Sequence, residues 1–152
     1  MRGRIVWSAI GLLLCLQFVA CGGGSNPAAP TPTPTPTPAP VTDTLLQGGV
    51  PNMEVLVLYT AGAFTTTVTG RLEVTVDWTF ATDNLDVYVA RGTCTVDQVN
   101  QRTCSLAGVS ESTTAKPERI TVSGLAPGTY SFMIGNRGPA VESASYQVTL
   151  TH

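Results

Sequence analysis

Asp77, Asp83, Asn84 and Asp86 form the densest group of oxygen-bearing side chains in this sequence. Several hard oxygen ligands converging at about 2.4 Å are what a calcium ion needs, so this group is the candidate metal site. The alternative is local: Asp83 and Asn84 are ordinary turn formers, and Asp77 and Asp86 alternate outward on strands. Tyr88 has a phase opposite to Val87 and Val89. It is therefore either an exposed aromatic available for binding or a side chain covered by a neighbouring loop. Trp78 falls on the inward phase of its strand and belongs to the core. Catalysis has little to work with. The single histidine is His152 at the carboxyl end, where it cannot be held in a nucleophile–base pair. Asp77 and Asp86, on an outer face, lack the cleft a glycosidase pair requires, so the chain reads as a non-enzyme.

The four cysteines divide by position. Arg2 and Arg4 precede an apolar run from Ile5 to about Leu16, followed by Phe18, Val19, Ala20 and Cys21. That is the layout of a signal peptide over residues 1–20. The run is too short and too interrupted for a spanning helix, which needs roughly 20 apolar residues. The segment resembles the lipobox of bacterial lipoproteins, with Phe18 where that box usually has Leu. The resemblance implies diacylglyceryl transfer to Cys21, cleavage before it, and further acylation by chains such as palmitate. Each buried methylene adds about 0.8 kcal/mol to membrane affinity, so several chains on one Cys make a durable anchor. Gly22 after the Cys implies an outer-membrane address in a host with two membranes. Once Cys15 leaves with the leader and Cys21 is lipidated, Cys94 and Cys104 remain. Export and the absence of a nearby His or third Cys favour a disulfide over a metal site.

Residues 21–40 form a linker of Gly, Thr and Pro in which Thr and Pro alternate from Thr31 onward. Proline removes the amide donor and bars its predecessor from the helical region, so polyproline II follows. At about 3.1 Å per residue, positions 22–40 reach on the order of 60 Å. The formal charge of −2 comes with no Lys or Arg cluster, which argues against nucleic acid as a partner.

Residues 41–152 carry the fold. Leu72, Val74, Val76, Trp78 and Phe80 alternate with polar neighbours, and Leu85, Val87 and Val89 continue the pattern beyond a turn at 82–84. The pair reads as a hairpin. Ile120 and Val122, then Tyr130, Phe132 and Ile134, then Tyr146, Val148 and Leu150 repeat the period of two. Glu54–Thr60 and Phe64–Thr69 offer two further strands. No window longer than a turn or two has helical spacing. Seven or so short strands between breaker clusters predict an all-β chain: a single antiparallel β-sandwich, jelly-roll-like.

The run Gly70–Trp78, the Leu85-Asp86-Val87-Tyr88 strand, the Pro127-Gly128-Thr129-Tyr130 turn and Tyr146–Leu150 together resemble the bacterial pre-peptidase C-terminal domain. That family is a jelly-roll-like sandwich appended to secreted proteases, and some members bind calcium. Nothing catalytic precedes the domain here, so the proteolytic association does not carry over. The expectation is a module tied to a membrane through lipid on Cys21, binding or adhering to an extracellular protein or polysaccharide through a surface patch centred on Tyr88 or the 94–104 loop. The alternative is an accessory envelope lipoprotein that pairs with another exported protein.

Overall fold

The computed structural model describes residues 35–152. The signal-peptide and lipidation positions, including Cys15 and Cys21, and most of the linker lie outside the described residues. The domain has eight strands and one short helix: β1 Thr42–Met53, β2 Leu58–Thr66, β3 Gly70–Trp78, β4 Leu85–Arg91, α1 Val96–Asn100, β5 Leu106–Ser110, β6 Glu118–Leu125, β7 Gly128–Asn136 and β8 Glu142–Thr151. They form two four-stranded sheets, in the orders β1-β8-β3-β6 and β2-β7-β4-β5. Every pairing is antiparallel. Successive strands mostly alternate between sheets, which is the double Greek-key order of a jelly roll.

Alternation explains the sandwich. Leu72, Val74, Val76 and Trp78 of β3 point inward and are buried, as are Ile120 of β6 and Val148 and Leu150 of β8. They meet Leu85, Val87 and Val89 of β4 and Tyr130, Phe132 and Ile134 of β7 from the opposite sheet. Phe64 stacks on Tyr130 with ring centroids 5.4 Å apart, and Phe132 meets Tyr146 edge to face at 5.1 Å.

Three expectations are corrected. β3 and β4 are not a hairpin, because they lie in different sheets and the 79–84 segment carries the chain from one to the other. Phe80 is not core: β3 ends at Trp78, and Phe80 is 56% exposed on that connection. The strands expected at Glu54–Thr60 and Phe64–Thr69 are one strand, β2, preceded by a tight turn at 54–57, and β1 runs upstream where no strand is expected.

The connections at one end of the sandwich are tied by buried polar side chains. Asn136, fully buried, donates through Nδ2 to the carbonyls of Met53 (2.9 Å) and Ala140 (2.7 Å) and accepts from the Gly138 amide (2.9 Å). Glu142, also buried, accepts from the amides of Phe80 and Ser143, each at 2.7 Å. Burial pushes the Glu142 carboxyl up, but these amides outweigh it and hold the group below its ordinary value of 4.5. A carboxylate depressed in the fold contributes stability above its unfolded value and loses it as pH falls through the folded value. The melting temperature of residues 37–152 should therefore drop between pH 5 and about pH 3, and Glu142→Gln should shallow that slope. An identical slope in the variant would assign the acid sensitivity elsewhere.

Candidate functional site

The site begins with a loop that the strand pattern does not foresee. Thr95 caps α1 in a reciprocal box, its side chain accepting from the Gln98 amide while the Gln98 side chain accepts from the Thr95 amide. At the other end, the Thr103 amide donates to Gln98 O (2.9 Å) and the Arg102 amide to Val99 O (3.0 Å), closing a Schellman motif. The residue in the left-handed position of that motif is Arg102, at φ 57°, where glycine is usual. The Cys94–Cys104 disulfide staples the loop across a sequence separation of 10. The Cys94 amide is further fixed by Ser131 Oγ at 2.9 Å.

This stapled loop lies on the outer face of the β2-β7-β4-β5 sheet. Val99 packs there on Leu58, Tyr88, Ala90 and Met133, with Cys94, Val96 and Cys104 at the margin. β4 is consequently buried on both faces up to Ala90, which single-sided alternation cannot show. Restricting the unfolded chain across a loop this short contributes about 2 to 3 kcal/mol. The Cys94→Ala/Cys104→Ala variant is thus expected to lose about that much in urea unfolding. A reductant should lower the wild-type melting temperature to the variant's and leave the variant's unchanged.

Between the stapled loop and β5 runs a groove of about 400 Å³, lined by Tyr88, Val99, Arg102, Val109, Glu111 and Arg137 among others. Val109 on β5 is an exposed apolar side chain, as is Leu106 at the groove's edge. The floor is polar. Tyr88 Oη lies 2.7 Å from Glu111 Oε1 and 3.1 Å from Asp86 Oδ2. Having one proton, the phenol donates to one carboxylate at a time, and the shorter contact is to Glu111. Asp86 also accepts from Arg137 Nε at 3.0 Å. Burial, then the Glu111 contact, raises the Tyr88 phenol well above its ordinary value, so it stays a neutral donor at physiological pH. The groove thus combines an apolar wall with fixed donors and acceptors.

The residues singled out in the sequence are distributed as follows. Tyr88 is covered by the stapled loop, only 6% exposed, and meets the groove through its hydroxyl edge rather than as an open stacking platform. Asp86 joins Tyr88 and Arg137 in the groove floor. Asp77 turns away on β3, paired with Lys116, whose contact holds its carboxyl below the usual range. Asp83 is buried against Gly138, and its backbone carbonyl accepts from Trp78 Nε1 at 3.1 Å. Asn84 offers its carbonyl to the Arg137 amide. The calcium set is therefore not assembled: among the described residues no group of three or more His, Cys, Asp or Glu is placed to hold a metal ion. Salt bridges to Lys116 and Arg137 engage Asp77 and Asp86 instead, whereas both Asp83 carboxylate oxygens are buried with no hydrogen-bond partner. His152 contacts Asp43 at 3.0 Å on the surface. Glu111 and Arg137 are the groove residues that sequence reasoning does not reach, since nothing in local spacing joins them to Tyr88, whereas Arg102 lies in the 94–104 loop expected at the patch.

No family model matches this chain, and no curated protein matches it significantly.

Proposed function

We propose that this chain is a lipid-anchored cell-envelope module that binds extracellular polysaccharide in the groove between its disulfide-stapled loop and β5. The observation that carries this is the Glu111–Tyr88–Asp86–Arg137 network beneath the apolar wall of Val109. Sugar rings present hydroxyls that both donate and accept around apolar C–H faces, and such a floor and wall match both. The jelly-roll strand order supports the resemblance to the pre-peptidase C-terminal domain, whose sandwich is carried by exported proteins. The lipobox-like segment ending in Cys21 supports the anchor.

Residues 37–152 form a compact unit whose core lies wholly within it, so the fragment suits binding assays. On an array of polysaccharides and matrix proteins it should retain glycans, and Glu111→Gln should reduce retention on the order of tenfold, the value of about 1.4 kcal/mol. Arg102→Gly should weaken retention while raising stability by about 1 kcal/mol, because glycine relieves the left-handed backbone. Silence on every glycan, with an exported protein captured by crosslinking, would replace this reading with the accessory-lipoprotein one. In intact cells, palmitate labelling that survives in Cys21→Ser would remove the anchor.

A further inference from the structure

β1 is held by a single neighbouring strand. It pairs with β8 alone, lies at the edge of its sheet, and follows residues 35–41, which form no strand or helix and are exposed. At its other end it reaches β2, in the opposite sheet, through a connection of four residues, 54–57. The core nevertheless needs this strand: Met53 is fully buried, and Leu45, Leu46 and Val50 pack against the side chains between the sheets. An element that the core requires, and that one short hinge joins to the rest, is supplied equally well by a second copy of the chain.

The hinge is where the closed form is strained. Leu56 stands at φ 62°, a left-handed conformation that an L residue with a branched side chain rarely adopts. Opening the turn lets it relax to extended backbone, and little hydrogen bonding opposes the change. The turn's own bond, from Val57 N to Glu54 O, is long at 3.4 Å. Asn136 N already donates to Val57 O (3.0 Å), next to the last ladder pair, Leu58 with Gly135. When β2 grows by that one residue, the bond that Leu56 N makes to Asn136 O (2.9 Å) passes to Val57 N. The bond from Glu54 N to Tyr59 Oη (2.7 Å) is given up to water on an exposed turn. Short hinges under strain favour the exchange of elements between chains.

We infer that two copies of this chain exchange β1, the strand of each completing the β1–β8 pairing of the other, with residues 54–57 of both copies extended between them. The bonds that fix β1 within one copy re-form between copies: Asn136 Nδ2 to Met53 O (2.9 Å), and the two between the backbones of Val41 and His152 (2.8 and 2.9 Å). β4, β5 and the stapled loop stay within one copy, so each groove is kept and the inference does not rest on its ligand. The ends brought together carry Glu54 and Glu111 beside the Asp77–Lys116 and Asp86–Arg137 pairs. Like charges therefore face one another, and exchange is favoured where salt screens them.

The test refolds residues 37–152 from urea at about 10 µM and at about 500 µM protein in about 0.5 M salt, and reads mass by light scattering after size exclusion. The concentrated sample should yield a dimer that the dilute one lacks. Thr42→Cys with Thr151→Cys marks the route: the two Oγ1 atoms lie 2.8 Å apart, in the pair next to the hydrogen-bonded Val41 and His152, within reach of a disulfide. After oxidation this pair should link two chains in the dimer peak and close within one chain in the monomer peak, as a denaturing gel without reductant shows. Leu56→Gly, which relieves the left-handed strain, should lower the dimer fraction on the order of tenfold. Leu56→Pro, which cannot take φ 62°, should raise it. No wild-type dimer at the higher concentration, a dimer whose oxidised chains separate on the gel, a dimer fraction that Leu56→Gly leaves unchanged, or a Leu56→Pro variant that folds as a monomer would each overturn the inference.

Discussion

Phe132→Ala is expected to lower the unfolding free energy of residues 37–152 by about 3 to 5 kcal/mol. Phe132 is fully buried at the middle of β7, between Gly62 of β2 and Val89 of β4 in the same sheet, with its ring against Tyr146 of the facing sheet. Truncation removes the transfer energy of the ring and leaves a cavity that two stiff sheets cannot close. Because domains of this size hold only about 5 to 15 kcal/mol in total, the variant should sit near the threshold of unfolding at 37 °C. Urea unfolding with an unchanged slope and a strongly lowered midpoint would bear this out. A loss below about 1 kcal/mol would mean that the two sheets repack, against the geometry described.

Asn136→Ala should cost about as much by a different route. Its side chain serves Met53 O, Ala140 O and Gly138 N, all near the same end of the sandwich. Removing it leaves two buried backbone groups and the part-buried Ala140 carbonyl without this partner, each buried group costing roughly 1 to 3 kcal/mol, so a total of about 3 to 5 is expected. Unlike Phe132→Ala, the damage should be local first. Hydrogen exchange at Leu56, Asn136 and Gly138 should accelerate under conditions where the β3 and β8 amides stay protected. Uniform loss of protection across the domain would show that Asn136 supports the whole fold rather than one end.

The strands that a sequence reader can see are those with one wet face. β3, β6 and β8 alternate in the structure as that pattern requires, whereas β7, whose Tyr130, Phe132 and Ile134 show the same period, is buried on both faces because the stapled loop covers Met133. β1 is hidden because it lies at a sheet edge, is mostly exposed, and includes Gly48, Gly49 and Pro51, so neither period nor propensity marks it. Phe80 misleads for the opposite reason: it keeps the phase of β3 after the strand has ended. The disulfide follows from counting cysteines. The groove does not, since Tyr88, Glu111 and Arg137 come from β4, the segment after β5, and the segment after β7, and only topology unites them. Tyr88 is legible as outward-facing. The disulfide and a covering loop are each legible as expectations, but that the 94–104 loop is the one that covers Tyr88 is not.

β1 finds its hydrogen-bonding partner only in β8, with Thr42 opposite Thr151. A ribosome releases Thr42 long before Thr151, so the first strand to emerge must wait for the last. Contacts of such high sequence separation place folding in the slow, millisecond-to-second range. During that interval an unpaired strand is an invitation to aggregate. Gly48, Gly49 and Pro51 make β1 a poor template for a stranger, and Gly48 at the same time leaves room for the Tyr146 hydroxyl, which a Cβ there would meet at 2.8 Å.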